Sequence, residues 1–570
     1  MDDLLLNVRA KAREWLSELF DEQTREQVHA LMEHPDPAAL IEAFYRNLEF
    51  GTGGLRGIMG VGTNRMNIYT VGAAAQGFAN YLRRQFGALT TISVVIGYDN
   101  RNNSRLFAQT TADVFSANDI HVHLFDDLRP TPEVSFAIRS LAAQGGVMIT
   151  ASHNTKEYNG FKVYWDDGAQ IVTPHDTLIV EEIKNMPFHH IRFQPKPAFI
   201  HTLGQDMDAQ YIRALTSLSL SHSAIHRQRD LKIVYTPIHG AGVHLVPQTL
   251  TAFGFANIIP VPEQMRISGD FPTVVSPNPE DPAALQLAIQ LAQETNADLV
   301  LATDPDGDRI AAATKDHDGN WFILNGNQAA ILFTWYILKR RSATKAMRKT
   351  DFMVKTIVTS ETMRKIAEQN GVRIFDVFTG FKWIADIIRH FDGKRQFVGG
   401  GEESFGFLWQ DFVRDKDGVS AAALFAEITA WGLCRHWTLY DLLEKIYTQY
   451  GYSKEVGFSL VRDGKQGLEE IAQLMKSFRL TPPAYIAGSK VTQVKDFAKI
   501  YPEMPAAATN VIQYFTDDDS KISIRPSGTE PKIKFYIEIH IPILSPQDIP
   551  QAEEQALQRI DAIRQALNII

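Results

Sequence analysis

Short runs of β-branched and apolar residues recur along this chain. Each is closed by a polar or glycine-rich loop and leads to a helical stretch, and nothing else in the sequence limits the fold so strongly. Residues 91–97 form the first run; 106–118 then read as a helix, 121–125 as a strand, 134–142 as a helix and 147–150 as a strand. Strands separated by helices need crossover connections, which makes the sheet mostly parallel. The pattern restarts with a strand over 231–235, helices over 245–253 and 283–294, and a strand over 299–302. It restarts again with strands over 353–358 and 372–377 around a helix at 361–370, then a strand over 396–398 that leads into a glycine-rich loop. The C-terminal part differs. Ile533, Phe535, Ile537, Ile539 and Ile541 alternate strictly, as in a half-buried antiparallel strand, and a helix follows over 552–567.

At 570 residues the chain is too long for one hydrophobic core. Three or four domains are expected, and the fold class is α/β: three successive related α/β domains with mixed or mostly parallel sheets, then an α+β domain. The expected boundaries are 1–205 (with an N-terminal helical cap), 206–320, 321–447 and 448–570, and the proline-bearing stretch 187–202 reads as a linker. The formal net charge of -9 provides no basic field for nucleic acid, so an anionic ligand must be held by local Arg and Lys. Cys434 is the only cysteine, which excludes an internal disulfide or a cysteine zinc cluster. The N-terminus lacks a signal-peptide pattern, and the most apolar helical stretch, 419–433, is interrupted by Glu427. A cytoplasmic protein without membrane association is expected.

Active residues of such sheets sit beyond the carboxyl ends of strands. Ser152 does so, in Thr150-Ala151-Ser152-His153-Asn154. Its hydroxyl needs a base or a cation to become a nucleophile, and His153 and Asn154 offer proton transfer and hydrogen bonds. A plain strand-ending turn is the competing reading. Asp304, Asp306 and Asp308 alternate along a tight loop, where three carboxylates repel unless a hard cation such as Mg²⁺ or Ca²⁺ neutralises them. An EF-hand register fails, because Arg309 and Lys315 stand where glycine and glutamate belong. Arg525, Ser527, Gly528 and Thr529 have the makings of a phosphate cradle or of a polar hairpin loop. Glu402 and Ser404 suit sugar hydroxyls; the adjacent Glu402 and Glu403 read equally as a general acid–base pair or a surface turn. Lys382 is a phosphate contact, a proton donor or a surface lysine. The glycine-dense stretch 51–57 fits neither a dinucleotide fingerprint nor a P-loop; it reads as a turn, with Arg56 open to an anion.

In order and spacing, the loops Thr150–Asn154, Asp304–Arg309, Gly401–Gly406 and Arg525–Lys532 resemble the four signature loops of the α-D-phosphohexomutase superfamily. Residues 51–56, 236–242 and 380–383 are similar to its phosphoglucomutase branch, and the Glu-Glu-Ser-Phe form of the third loop to glucose-preferring members. The resemblance implies four domains around one central active-site cleft and an intramolecular phosphotransferase with Ser152 phosphorylated. One Mg²⁺ would sit on Asp304, Asp306, Asp308 and a phosphoserine oxygen of Ser152. The reaction implied interconverts glucose 1-phosphate and glucose 6-phosphate, with glucose 1,6-bisphosphate as intermediate and activator. His153, with Lys382 as second candidate, would move protons. Glu402 and Ser404 would hold the sugar, and Arg525, Ser527, Gly528 and Thr529 the distal phosphate. Arg56 and Arg309 would lie near the reacting phosphate. Alternatives within the class are a phosphomannomutase, a phosphopentomutase or a glucose 1,6-bisphosphate synthase. A non-catalytic sugar-phosphate sensor would have lost Ser152 or the aspartates, and a serine hydrolase would need G-x-S-x-G. The implied partners are small sugar phosphates, with neither nucleic acid nor membrane, for a monomer or homodimer.

Overall fold

The first sheet grows from β1 (Phe50–Gly51), β2 (Gly54–Ile58), β3 (Ser93–Tyr98), β4 (His121–Phe125), β5 (Gly145–Ile149), β6 (Tyr158–Trp165) and β7 (Ile200–Leu203). The computed structural model describes residues 2–51, 54–184, 186–462, 464–499, 508–527 and 532–569. Strand order is β1-β2-β6-β5-β3-β4-β7. Strands β5, β3, β4 and β7 run parallel, while β6 and β2 add on antiparallel. Val94, Ile96 and Val122 pack with Phe78 and Phe115 of two covering helices, Ile68–Phe86 and Ser104–Ala117. Before this sheet, helices Asp2–Glu14, Glu22–Glu33 and Ala38–Phe44 close around Trp15, Phe20 and Phe44.

Three expectations need correction. The linker assigned to 187–202 ends in β7, an edge strand paired with β4. Its burial is only partial, so it carries no apolar signature. The glycine-rich turn at 51–57 contains β2, which pairs Arg56 with Gly160 of β6. The strand expected over 396–398 continues through three glycines to Glu402.

The second sheet has β8 (Ile233–Thr236), β9 (Ile258–Pro260), β10 (Leu299–Thr303) and β11 (Ile310–Lys315). Strands β9, β8 and β10 are parallel. Strand β11 turns back antiparallel on β10, with Thr303 opposite Ile310, so the three aspartates occupy a hairpin tip. Gly307 takes φ 66° there, a left-handed conformation that glycine adopts without cost.

The chain forms two compact units, residues 1–313 with 406–430 and residues 314–405 with 431–570. In the second unit β12 (Trp321–Ile323) precedes a parallel set, β13 (Asp351–Thr356), β14 (Arg373–Val377) and β15 (Gln396–Glu402), with β13 central. Strand β16 (Gly406–Leu408) lies in the segment returning to the first unit. The last sheet is antiparallel, ordered β17 (Tyr452–Val461), β22 (Lys532–Ile541), β21 (Lys521–Pro526), β20 (Ile512–Thr516), β19 (Ser489–Asp496), β18 (Tyr485–Ile486). Ile522, Ile524, Ile533, Phe535 and Ile537 fill one face. The other face is polar, with Lys521, Ser523, Glu538 and Glu455 in neighbouring register. The architecture is thus three successive α/β domains with mixed sheets and a fourth α+β domain.

Candidate active site

Strand β5 ends at Ile149, and the chain then turns sharply: the Thr150 hydroxyl accepts the Ser152 N–H at 2.8 Å. Ser152 sits at φ 50°, a left-handed conformation costing about 1–2 kcal/mol for a residue with a Cβ. The Arg101 guanidinium holds it there. That side chain is 3% exposed and donates to the carbonyls of Ser152, Asn154, Thr155 and Tyr158. Asp99 in turn backs Arg101 at 3.3 Å and accepts from the Ser104 hydroxyl at 2.7 Å.

The Ser152 hydroxyl donates to Asp304 Oδ2 at 2.8 Å and lies 3.2 Å from His153 Nδ1. The other Asp304 oxygen accepts the backbone N–H groups of Asp308 and Arg309, which fixes the carboxylate. Asp304, Asp306 and Asp308 are buried, and one oxygen of each lies within 4.8 Å of the others. Lys162 Nζ, from β6, lies 2.6 Å from Asp306 and 3.1 Å from Asp308; Lys416 Nζ lies 3.1 Å from Asp308. Oδ1 of Asp306 and Oδ1 of Asp308 are buried without a hydrogen-bond partner among the described residues. Buried oxygens so placed suit a hard cation.

The electrostatics follow from that crowding. Burial and the adjacent Asp306 and Asp308 push the Asp304 pKa well up. Burial also opposes ionisation of Asp306, but the Lys162 ammonium outweighs it and holds that carboxyl below its usual range. Burial, then Arg309 and Arg56, lower the His153 imidazole to about 2, so its ring is neutral. Arg56 is exposed and donates to the Asn154 side chain at 3.1 Å. Arg309 pairs with Glu280 at 2.5 Å.

The second unit gathers the remaining residues. Glu402 ends β15 and is 5% exposed. Neighbouring Glu403 accepts from Thr356 at 3.1 Å, and Ser404 is half-buried. A Cβ at Gly326 would lie 1.9 Å from the Glu403 carbonyl oxygen, so the loop rests directly on the start of helix Gly326–Ala343. Arg525 hydrogen-bonds the Tyr536 hydroxyl, and the Glu402 and Glu403 carboxylates act on that same hydroxyl. Burial first, then Glu403, push the Tyr536 hydroxyl up to about 12. Trp383, beside Lys382, packs with Tyr536 on a shared apolar cluster; the Lys382 ammonium lies 4.7 Å from the Trp383 ring centre. The Ser527 N–H donates to the Lys532 carbonyl at 2.7 Å. Gly528 and Thr529 lie outside the described residues.

The first unit therefore brings Ser152, His153, Arg56 and the aspartates together, and the second brings Glu402 to Arg525. Sequence reasoning missed Arg101, Lys162, Lys416 and Tyr536. The one signal for Lys162 is a cation inside the apolar run Phe161-Lys162-Val163-Tyr164-Trp165.

Models of the phosphoglucomutase/phosphomannomutase alpha/beta/alpha domains I, II and III match residues 47–190, 209–319 and 325–450. The phosphoglucomutase of Staphylococcus aureus strain N315 is 36% identical over 518 residues, covering 88% of this chain and 91% of the relative. That of strain MSSA476 is 36% identical over 515 residues, covering 87% and 90%. The fold is shared with a phosphoglucomutase/phosphomannomutase family protein from Burkholderia thailandensis, at TM-score 0.66 and 21% identity over 91% of this chain and 97% of that one. It is shared likewise with pp63/parafusin from Paramecium in its open form, at TM-score 0.67 and 19% identity over 91% and 95%. The chain belongs to the phosphoglucomutase/phosphomannomutase family.

Proposed function

We propose that the protein is a phosphoglucomutase, interconverting α-D-glucose 1-phosphate and glucose 6-phosphate through a phosphoserine at Ser152 and a glucose 1,6-bisphosphate intermediate. The observation that carries this reading is the 2.8 Å hydrogen bond from the Ser152 hydroxyl into the buried aspartate trio. Asp304, Asp306 and Asp308 fit Mg²⁺, being oxygen donors with two orphaned buried oxygens. When bound, Mg²⁺ supplies charge neutralisation for the transferring phosphoryl group.

The chain's own residues do the rest. A sugar hydroxyl attacks the phosphorus on Ser152; its new P–O bond forms as the P–Oγ bond breaks, and one proton leaves the sugar while one arrives at Oγ. The neutral His153 ring, with Nδ1 beside Oγ, gives Oγ its Nδ1 proton as Nε2 takes one up, so the ring stays uncharged; Lys382 is the second candidate for moving the sugar's proton. Lys162 and Lys416 compensate charge around the aspartates, and Arg56 and Arg309 hold the reacting phosphate. Glu402 and Ser404 orient sugar hydroxyls. Arg525, Ser527, Gly528 and Thr529 grip the phosphate that does not react, and this binding energy orients the other end. The bisphosphate then reorients and returns its other phosphoryl group to Ser152, and traces of it added from outside serve as activator.

We read the protein as cytoplasmic, a monomer or homodimer, with four domains divided near residues 205, 320 and 447. No helix among the described residues is long and apolar enough to cross a membrane. The test is a comparison of glucose, mannose and ribose 1-phosphates with the purified chain. Glucose 1-phosphate is expected to give the highest kcat/KM; a higher value for either other sugar overturns the glucose assignment.

A further inference from the structure

Away from the aspartate loop, three histidines meet at the edge of the first sheet. His121 and His123 lie two residues apart on β4, so both rings project from one face. His201 comes from the edge strand β7, directly opposite His123 in register. The His121 and His201 rings are parallel within 3°, with centres 5.3 Å apart, and His121 Nδ1 faces His201 Nε2 at 2.9 Å. The His123 ring centre is 5.6 Å from that of His201. A hydrogen bond between two ring nitrogens requires one of them to be unprotonated, so at least one ring of the facing pair is neutral. Burial, then His201 and His121, lower the pKa of His123, a shift that favours the neutral ring.

From this arrangement we propose that His121, His123 and His201 form a binding site for a divalent transition-metal ion of the zinc and copper class, separate from the aspartate trio. Neutral imidazole is the ligand form for these ions, whereas Mg²⁺ prefers oxygen. Tetrahedral zinc at ordinary Zn–N lengths holds two imidazole nitrogens about 3.4 Å apart. The facing His121 and His201 nitrogens reach that spacing by opening about half an ångström; His123, its ring centre 5.6 Å from that of His201, has to turn toward them to serve as the third ligand. His201 is exposed on an edge strand, which leaves an entry path and room for a water ligand. Two adjacent strands fix the ligand backbones, so little ordering is required on binding.

The test uses the full tag-free chain with Mg²⁺ in millimolar excess, titrated with Cu²⁺ and read by electron paramagnetic resonance, alongside equilibrium dialysis against Zn²⁺. The first copper equivalent is expected to show hyperfine splitting from imidazole nitrogens; the aspartate trio offers oxygen alone. His201→Asn and the double variant His121→Asn/His201→Asn are expected to lose that splitting and one zinc equivalent, with affinity falling at least about tenfold. Their melting midpoints should stay within about 2 °C of the parent, since exposed polar substitutions cost little. Oxygen-only copper in the parent, or an unchanged nitrogen signal in both variants, overturns the proposal.

Discussion

Ser152 is held in a conformation that its own side chain disfavours, and the strain is carried by one buried cation. Arg101 bonds the carbonyls around the turn, so its loss frees the loop and strands the Asp99 carboxylate. Arg101→Met is therefore expected to destabilise the protein by about 3–5 kcal/mol, the usual cost of breaking a buried pair. A melting midpoint within error of the parent would refute the clamp. Ser152→Ala removes only an oxygen and keeps the backbone cost nearly unchanged. It is expected to leave the melting curve in place and to lower turnover on glucose 1-phosphate at least about a thousandfold. Undiminished turnover would refute the nucleophile assignment. The serine turn and the aspartate loop stand out in the sequence because each motif is local, although the two meet across 152 positions. Arg101 and Lys162 do not, since each is defined by partners distant in sequence; Lys162 reaches Asp306 across 144 positions.

At the scale of elements, the polar face of the last sheet is a buried ionic layer against β13 and the helix Glu361–Gln369. Lys521 lies 2.9 Å from Glu361 and 2.8 Å from Glu538, and Lys355 lies 2.9 Å from Glu361. Glu455 on β17 faces Glu538 with one oxygen buried and unpaired among the described residues. Burial, then the Glu538 charge, raise its pKa from 4.5 to about 7. Between those values the folded protein keeps a proton that the unfolded chain has released, so stability falls as pH rises through this window and the full cost persists above it. Glu455→Gln is expected to stabilise the protein at pH 8 by on the order of 2 kcal/mol, with the gain vanishing near pH 4.5. An equal effect at both pH values would refute the protonation account. The antiparallel sheet is legible in the residues alone, through the strict alternation along β22. Strands β2 and β7 stayed hidden, one because glycines mask its pattern and the other because a half-exposed edge has none.

For the whole molecule, the aspartate trio and both lysines on it belong to residues 1–313 and 406–430, so metal binding should stabilise that unit alone. EDTA is expected to stop turnover and Mg²⁺ to restore it. In calorimetry Mg²⁺ should raise one transition, by about 2.7 kcal/mol at a hundredfold excess over Kd, and leave the other in place. Full turnover in metal-free buffer would refute the metal reading. The three successive α/β patterns made the architecture readable, but the path by which residues 406–430 rejoin the first unit leaves no local trace in composition. That return has a consequence for biosynthesis. Lys416, whose ammonium rests on Asp308, is translated more than a hundred residues after it. A nascent chain paused on the ribosome near residue 400 thus carries the acidic hairpin without one of its counter-charges, and the first unit cannot finish folding until residue 430 has left the exit tunnel.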